Sequence, residues 1–242
     1  MPPSQPITIF SARVCPWAQR ATLALREVGA YDDANFKHVE IDLQNKPEWY
    51  ASKVNPASKV PVIRVGEEGA PGTLNIPESA VNLELVAELY PEKKLSPEDP
   101  VKRAYARYFA QRYTDVITSP FMTALFQGKP ELAEPVFTGI EEIQGLLQQY
   151  DGPFLLGNDI SIGDLAVAPF VGRLFAAPKY DLLPQEFADK LKDDKYKVFR
   201  AYGDALTSRP SWKETFDEEY IFNHMKNMIE KRRAAAAAAE SK

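Results

Sequence analysis

The sequence predicts an α/β domain followed by an all-α domain, on three observations. Short runs of strand-type alternation occur only in the first third of the chain. A segment rich in proline and charge, Pro91 to Pro100, interrupts the pattern, and every apolar repeat beyond it has helical spacing. The length of 242 residues lies between one domain and two at roughly 150 residues per domain. The expected division is residues 1–90, a linker at 91–100, a helical bundle at 101–233 and a tail at 234–242.

In the first domain, Ile7 to Phe10 alternates apolar and polar residues and reads as a half-buried strand. Pro16 opens a helix with Ala21, Leu25 and Val28 on one face, and Gly29 closes it. Phe36 to Leu43 is a second strand, giving a β-α-β unit of the size of a parallel crossover. A short helix from Pro47 to Val54 leads to a strand from Val60 to Val65. The glycine-rich turn Gly66 to Gly72 then makes the next strand, Thr73 to Ile76, its antiparallel neighbour. A helix from Glu78 to Tyr90 completes the order β-α-β-α-β-β-α, which resembles thioredoxin-like folds.

After the linker, Val101 to Gln127, Glu131 to Tyr150, Ile162 to Ala177, Gln185 to Thr207 and Trp212 to Arg233 all read as helices. Pro120 and Pro169 should kink or divide theirs. Ser161-Ile162-Gly163-Asp164 fits a helix start in which the carboxylate three residues on returns to the cap, and the apolar run after it reads as a helix buried on most sides. The alanines 234–239 either extend the last helix or fray.

Composition narrows the function classes. A net charge of −5 suits no general phosphate binder, so no nucleic-acid partner is expected. The longest uncharged stretch, Val116 to Gly128, is too short to span a membrane. The start, Met1-Pro2-Pro3-Ser4-Gln5-Pro6, lacks the features of a secretory signal, so a cytoplasmic location is expected. One cysteine excludes an internal disulfide, and two distant histidines, His38 and His224, give no metal-site spacing; no metal is expected.

The single cysteine falls between a strand and a helix that starts at Pro16, where unpartnered backbone N–H groups favour an anion. Its pKa is therefore expected to lie below that of a free thiol. In Cys15-Pro16-Trp17-Ala18, alanine stands where a dithiol redox protein would carry its second cysteine, so another thiol must resolve whatever Cys15 forms, and glutathione is the abundant cytosolic one. A cis Val60-Pro61 bond would explain a proline at a strand start and would offer the Val60 backbone to an extended peptide; an ordinary trans proline is the plainer reading. Pro77-Glu78-Ser79 opens a helix at which Ser79 can hold a carboxylate and Glu78 an ammonium.

Cys15, Val60-Pro61 and Glu78-Ser79 together resemble the glutathione transferase family, and Cys15-Pro16-Trp17-Ala18-Gln19-Arg20 is similar to its omega class. Asn45-Lys46-Pro47-Glu48-Trp49, Asn55-Pro56, Glu98-Asp99-Pro100 and Ser161-Ile162-Gly163-Asp164 extend the likeness over nearly the whole chain. Trp17 departs from the Phe usual after Cys-Pro in omega enzymes and is shared with the glutathionyl-hydroquinone reductases, whose chains are longer.

The resemblance implies that Cys15 forms a mixed disulfide with glutathione, that Val60 beside Pro61 pairs with its backbone, and that Glu78 and Ser79 hold its γ-glutamyl end. Lys46 would hold the glycine carboxylate, supplemented by Lys59. The implied activity is thiol transfer or reduction with glutathione as co-substrate, in a symmetric homodimer. The competing reading is a carrier of hydrophobic aromatic or phenolic ligands on the same scaffold. A second, aromatic substrate is expected beside Pro16 and Trp17, with Phe121, Ala124, Leu125, Phe222 and Met225 around it, although such apolar stripes are as often ordinary core.

Overall fold

A computed structural model describes residues 5–127 and 129–240; residues 1–4 of the proline-rich start and the last two of the tail lie outside the described residues. The first domain runs β1 (Ile7–Ser11), α1 (Pro16–Glu27), β2 (Phe36–Glu40), α2 (Glu48–Lys53), β3 (Val62–Val65), β4 (Leu74–Pro77) and α3 (Ser79–Leu89). The four strands form one mixed sheet in the order β2-β1-β3-β4, with β1 parallel to β2 and antiparallel to β3. The period of two sorts the side chains: Ile7, Ile9 and Ile63 join the large core under α1 and α3, while Phe10 and Val62 join a smaller cluster with Tyr50 and Val54 around α2. At the end of α1, Gly29 takes φ +76° and its N–H reaches the Arg26 carbonyl at 3.0 Å, a left-handed stop that a side chain would strain.

The second domain is helical: α4 (Pro100–Tyr113), α5 (Ser119–Gln127), α6 (Pro135–Leu147), α7 (Ile162–Ala176), α8 (Gln185–Leu191), α9 (Lys197–Ser208), α10 (Pro210–Thr215) and α11 (Glu218–Glu240). Its large core is continuous with that of the first domain. No helix among the described residues is long and apolar enough to cross a membrane.

The helical domain follows the sequence pattern in one place and departs from it in three. The helix with Pro120 is interrupted as expected: one π-helical segment, Thr114–Thr118, separates α4 from α5 just ahead of the residue that has no N–H to give. The stretch from Gln185 to Thr207 breaks in two, because the Asp193 carboxylate accepts the Lys195 N–H at 3.0 Å and Arg200 caps the Leu191 and Asp193 carbonyls at 2.6 Å each. The last predicted helix breaks at Phe216-Asp217, where the Asp217 carboxylate accepts the Tyr220 N–H at 3.2 Å and starts α11. α7 continues through Pro169 without the expected division.

The domains are joined by Glu27 at the end of α1, which accepts two bonds from Arg209, at 2.7 and 2.6 Å, and one from the Ser211 hydroxyl. Burial alone would raise the Glu27 pKa, but the Arg209 and Ser211 hydrogen bonds and the Arg209 charge hold it below the ordinary carboxylate value. A depressed folded pKa stabilises the protein above the unfolded value, and that stabilisation is lost as pH falls through the folded one. Arg209→Met should therefore lower the unfolding free energy by about 1.5–3 kcal/mol at pH 7 and by much less at pH 3, where urea titration of both chains provides the comparison.

Candidate active site

Cys15 is the N-cap of α1: its backbone is extended, with φ −85° and ψ 116°, Pro16 follows at the first helical position, and its carbonyl accepts the first helical bond from Gln19 N–H at 3.0 Å. The side chain is half-buried and opens onto a groove of about 540 Å³ in the first domain. The groove is also lined by Trp17, Lys46, Lys59, Val60, Pro61, Glu78 and Ser79, so the structure brings together the sequence-derived glutathione residues. Arg20, Leu43, Asn55 and Ser58 complete much of its wall.

Hydrogen bonds fix each wall of the groove. The Val60-Pro61 bond is cis. The loop before it is held by Tyr50 and Asn55, whose hydroxyl and amide both donate to the Lys59 carbonyl at 2.9 Å. Lys46 reaches across to donate to the Ser58 carbonyl. Opposite, Glu78 takes φ +72°, a backbone conformation costly for a residue with a Cβ and most often kept at binding sites. Asn82, fully buried, locks that turn by donating to the Ile76 carbonyl at 2.8 Å, and its N–H bonds the Glu78 carbonyl at 2.9 Å. Ser79, the first residue of α3, receives a bond from Arg20 Nη1 at 3.2 Å.

Electrostatically, burial pushes the Cys15 thiol above its ordinary value. The N–H groups of Ala18 and Trp17 and the charges of Arg173 and Arg20 pull it down without prevailing. This corrects the sequence expectation of a depressed pKa. A helix N-terminus does favour the thiolate, but burial of the sulfur outweighs it.

The second-substrate residues divide. Trp17, 36% exposed, stands at the groove, with Phe170 edge-on at 4.7 Å and the Arg20 guanidinium 4.4 Å from its ring centroid. Pro16 beside it is half-buried. Phe121, Ala124, Leu125, Phe222 and Met225 do not reach the Cys15 groove: all five are buried in the large core, where Phe222 stacks on Tyr180 at 4.5 Å. Their stripes are packing, because the helices that carry them bury those faces against one another. The sequence reading missed Arg173 on α7, which acts on Cys15 from 158 residues away. The available signal was an arginine inside a helix otherwise buried along its length.

Among the described residues no cluster of His, Cys, Asp and Glu could hold a metal.

The family model for the glutathione S-transferase N-terminal domain matches residues 9–94, and that for the C-terminal domain matches 123–205. Glutathione S-transferase omega-1 of Mus musculus is 32% identical over 179 residues, which are 72% of this chain and 69% of that protein. The crystal structure of glutathione transferase Omega 2C from Trametes versicolor superposes with a TM-score of 0.83 at 38% identity, covering 93% of this chain and 99% of that one. Omega 2S from the same organism, solved in complex with 2,4-dihydroxybenzophenone, superposes with a TM-score of 0.77 at 29% identity, covering 96% and 99%. With two domain models matched in order around a groove that holds Cys15, Val60-Pro61 and Glu78-Ser79, the chain belongs to the glutathione S-transferase family, in its omega class, and is a glutathione transferase.

Proposed function

We propose that this transferase works as a glutathione-dependent thiol transferase with Cys15 as nucleophile. The observation that carries the reading is the single thiol of the chain, placed at the head of α1 and open to the groove. In the first step the Cys15 thiolate attacks the glutathionyl sulfur of a substrate disulfide; the S–S bond breaks, the substrate thiolate leaves and takes up a proton, and Cys15 is joined to glutathione. A second glutathione thiolate then attacks that glutathionyl sulfur, releasing oxidised glutathione and the Cys15 thiolate. Lys46, with Lys59 behind it, suits the glycine carboxylate. The Val60 backbone suits the peptide, Ser79 the γ-glutamyl carboxylate and Glu78 its ammonium. A glutathione adduct on Cys15, seen by mass spectrometry after mixing with a glutathionylated substrate, would support the reading, and its absence during turnover would overturn it.

A second reading, carriage of aromatic or phenolic molecules, is favoured by the exposed indole of Trp17 beside the sulfur and by the hydroxylated benzophenone in the similar Omega 2S. Both activities can share the groove. Trp17→Ala should weaken binding of a hydroxylated aromatic about tenfold, the value of one stacked ring contact, while leaving glutathione affinity within twofold; parallel titrations decide it, and unchanged aromatic binding would place that site elsewhere.

A symmetric homodimer is supported by apolar side chains left exposed on both domains, Leu74 and Val81 on one, Val101 and Tyr108 on the other, with the Glu84–Arg107 ion pair at 2.6 Å joining α3 to α4. Sedimentation at micromolar concentration should give twice the 27.2 kDa chain mass, and a single monomeric species would contradict the assembly.

A further inference from the structure

Arg173 is the largest fully buried side chain among the described residues, at 0% exposure. Its Nη1 donates to the Gln19 side-chain carbonyl at 2.5 Å and to the Pro169 carbonyl at 2.9 Å, and Nη2 donates to the Val14 carbonyl at 3.3 Å, one residue before Cys15. Nε is buried with no partner, and the guanidinium lies 5.4 Å from the Phe216 ring centroid. Arg20, also buried, donates to the Ala166 carbonyl at 2.7 Å and the Ser79 hydroxyl at 3.2 Å and is flanked by Trp17 and Phe170.

Every acceptor of these two cations is a neutral oxygen. Buried guanidinium groups are ordinarily matched by a carboxylate, since an unpaired buried charge is expensive. The Cys15 sulfur lies close enough for its charge to act on both. Arg20 lines the groove beside Cys15, and Arg173 is bonded to the Val14 carbonyl one residue before it, so both cations are placed to act on the sulfur.

We infer that Arg173, seconded by Arg20, is a positioning residue that supplies the counter-charge of the Cys15 thiolate, so the helical domain activates a nucleophile carried by the first domain. The inference rests on the reading of Cys15 as nucleophile and adds to it a second role. When glutathione thiolate attacks the mixed disulfide, a bond forms between the two glutathione sulfurs, the Cys15–S bond breaks, and its electron pair leaves on Cys15. The same two cations receive that charge, so they favour release of the product as well as attack. Burial pushes the Arg173 guanidinium down to about 9, and the Cys15 charge works against that fall.

The test is the rate of Cys15 alkylation by iodoacetamide against pH, on the full chain without glutathione, so that no turnover enters. Arg173→Met should move the midpoint up by about one pH unit and slow alkylation at pH 7 about tenfold, whereas Arg173→Lys should stay within a few tenths of a unit of the natural chain. If Arg173→Met does not fold, Gln19→Leu, which frees the guanidinium from its orienting amide, should move the midpoint the same way by less. An unmoved midpoint in a folded Arg173→Met or, failing that, in Gln19→Leu overturns the inference. A natural chain that shows the midpoint dependence on Arg173 but turns over no mixed disulfide would refute the proposed function and leave this inference standing.

Discussion

Cys15→Ser is expected to lower glutathione-dependent reduction of a mixed disulfide to background, a loss of at least ~10³-fold, because a hydroxyl cannot form the covalent intermediate. The fold should be unaffected: serine is close to isosteric, and its oxygen can take the Ala18 and Trp17 N–H groups that face the sulfur. Glutathione affinity should change little as well, since the groove residues suited to its carboxylates and ammonium lie on other elements, in the loop at Lys46 and at the β4–α3 turn. A gain of slight conjugating activity would fit the same geometry, a hydroxyl now donating to the thiolate of bound glutathione. The decisive comparison is disulfide turnover against glutathione binding in the same preparation. Undiminished turnover would remove Cys15 from the mechanism.

The sequence made the scaffold and the near side of the site legible because their signals are local. Strand alternation at Ile7–Phe10, the Cys15-Pro16 step, Gly29, Val60-Pro61 and Glu78-Ser79 each act within a few residues of themselves, and the structure sets the last two pairs beside Cys15 in one groove. What stayed hidden depends on how helices face one another. The stripes at Phe121–Leu125 and Phe222–Met225 have the same spacing whether they line a cleft or a core, and only packing shows that they are core. The Cys15 pKa escaped for a related reason: the helix terminus that lowers it is written in the sequence, whereas the burial that outweighs it comes from tertiary packing. The breaks at Asp193 and Asp217 hinge on single carboxylates that turn back to the backbone two and three residues later, a signal easily lost inside a longer apolar repeat.

Asp164→Ala should cost about 3–5 kcal/mol of unfolding free energy, a large part of the ~5–15 kcal/mol typical of a folded chain. The carboxylate is fully buried and accepts four bonds: Leu155 N–H at 2.9 Å, Ser161 N–H at 2.8 Å, Ser161 hydroxyl at 2.7 Å and Tyr202 hydroxyl at 2.9 Å. It thus ties the start of α7 to the loop before it and to α9, and alanine would leave four donors without an acceptor in the core. Burial raises the Asp164 pKa above the ordinary value, although all four donors work to lower it, so the ionised form carries a desolvation cost in the folded state. A raised folded pKa means that this cost is relieved as pH falls through the folded value, so Asp164→Asn, uncharged and still an acceptor, should lose less than alanine. Urea unfolding of the three chains at pH 7 ranks them, and a loss below about 1 kcal/mol for alanine would show that water replaces the carboxylate. The damage should not stop at stability. α7 carries Phe170, Arg173 and the Ala166 carbonyl, the groups that hold Trp17, face Cys15 and anchor Arg20. A frayed start to that helix therefore loosens the back wall of the groove as well as the core.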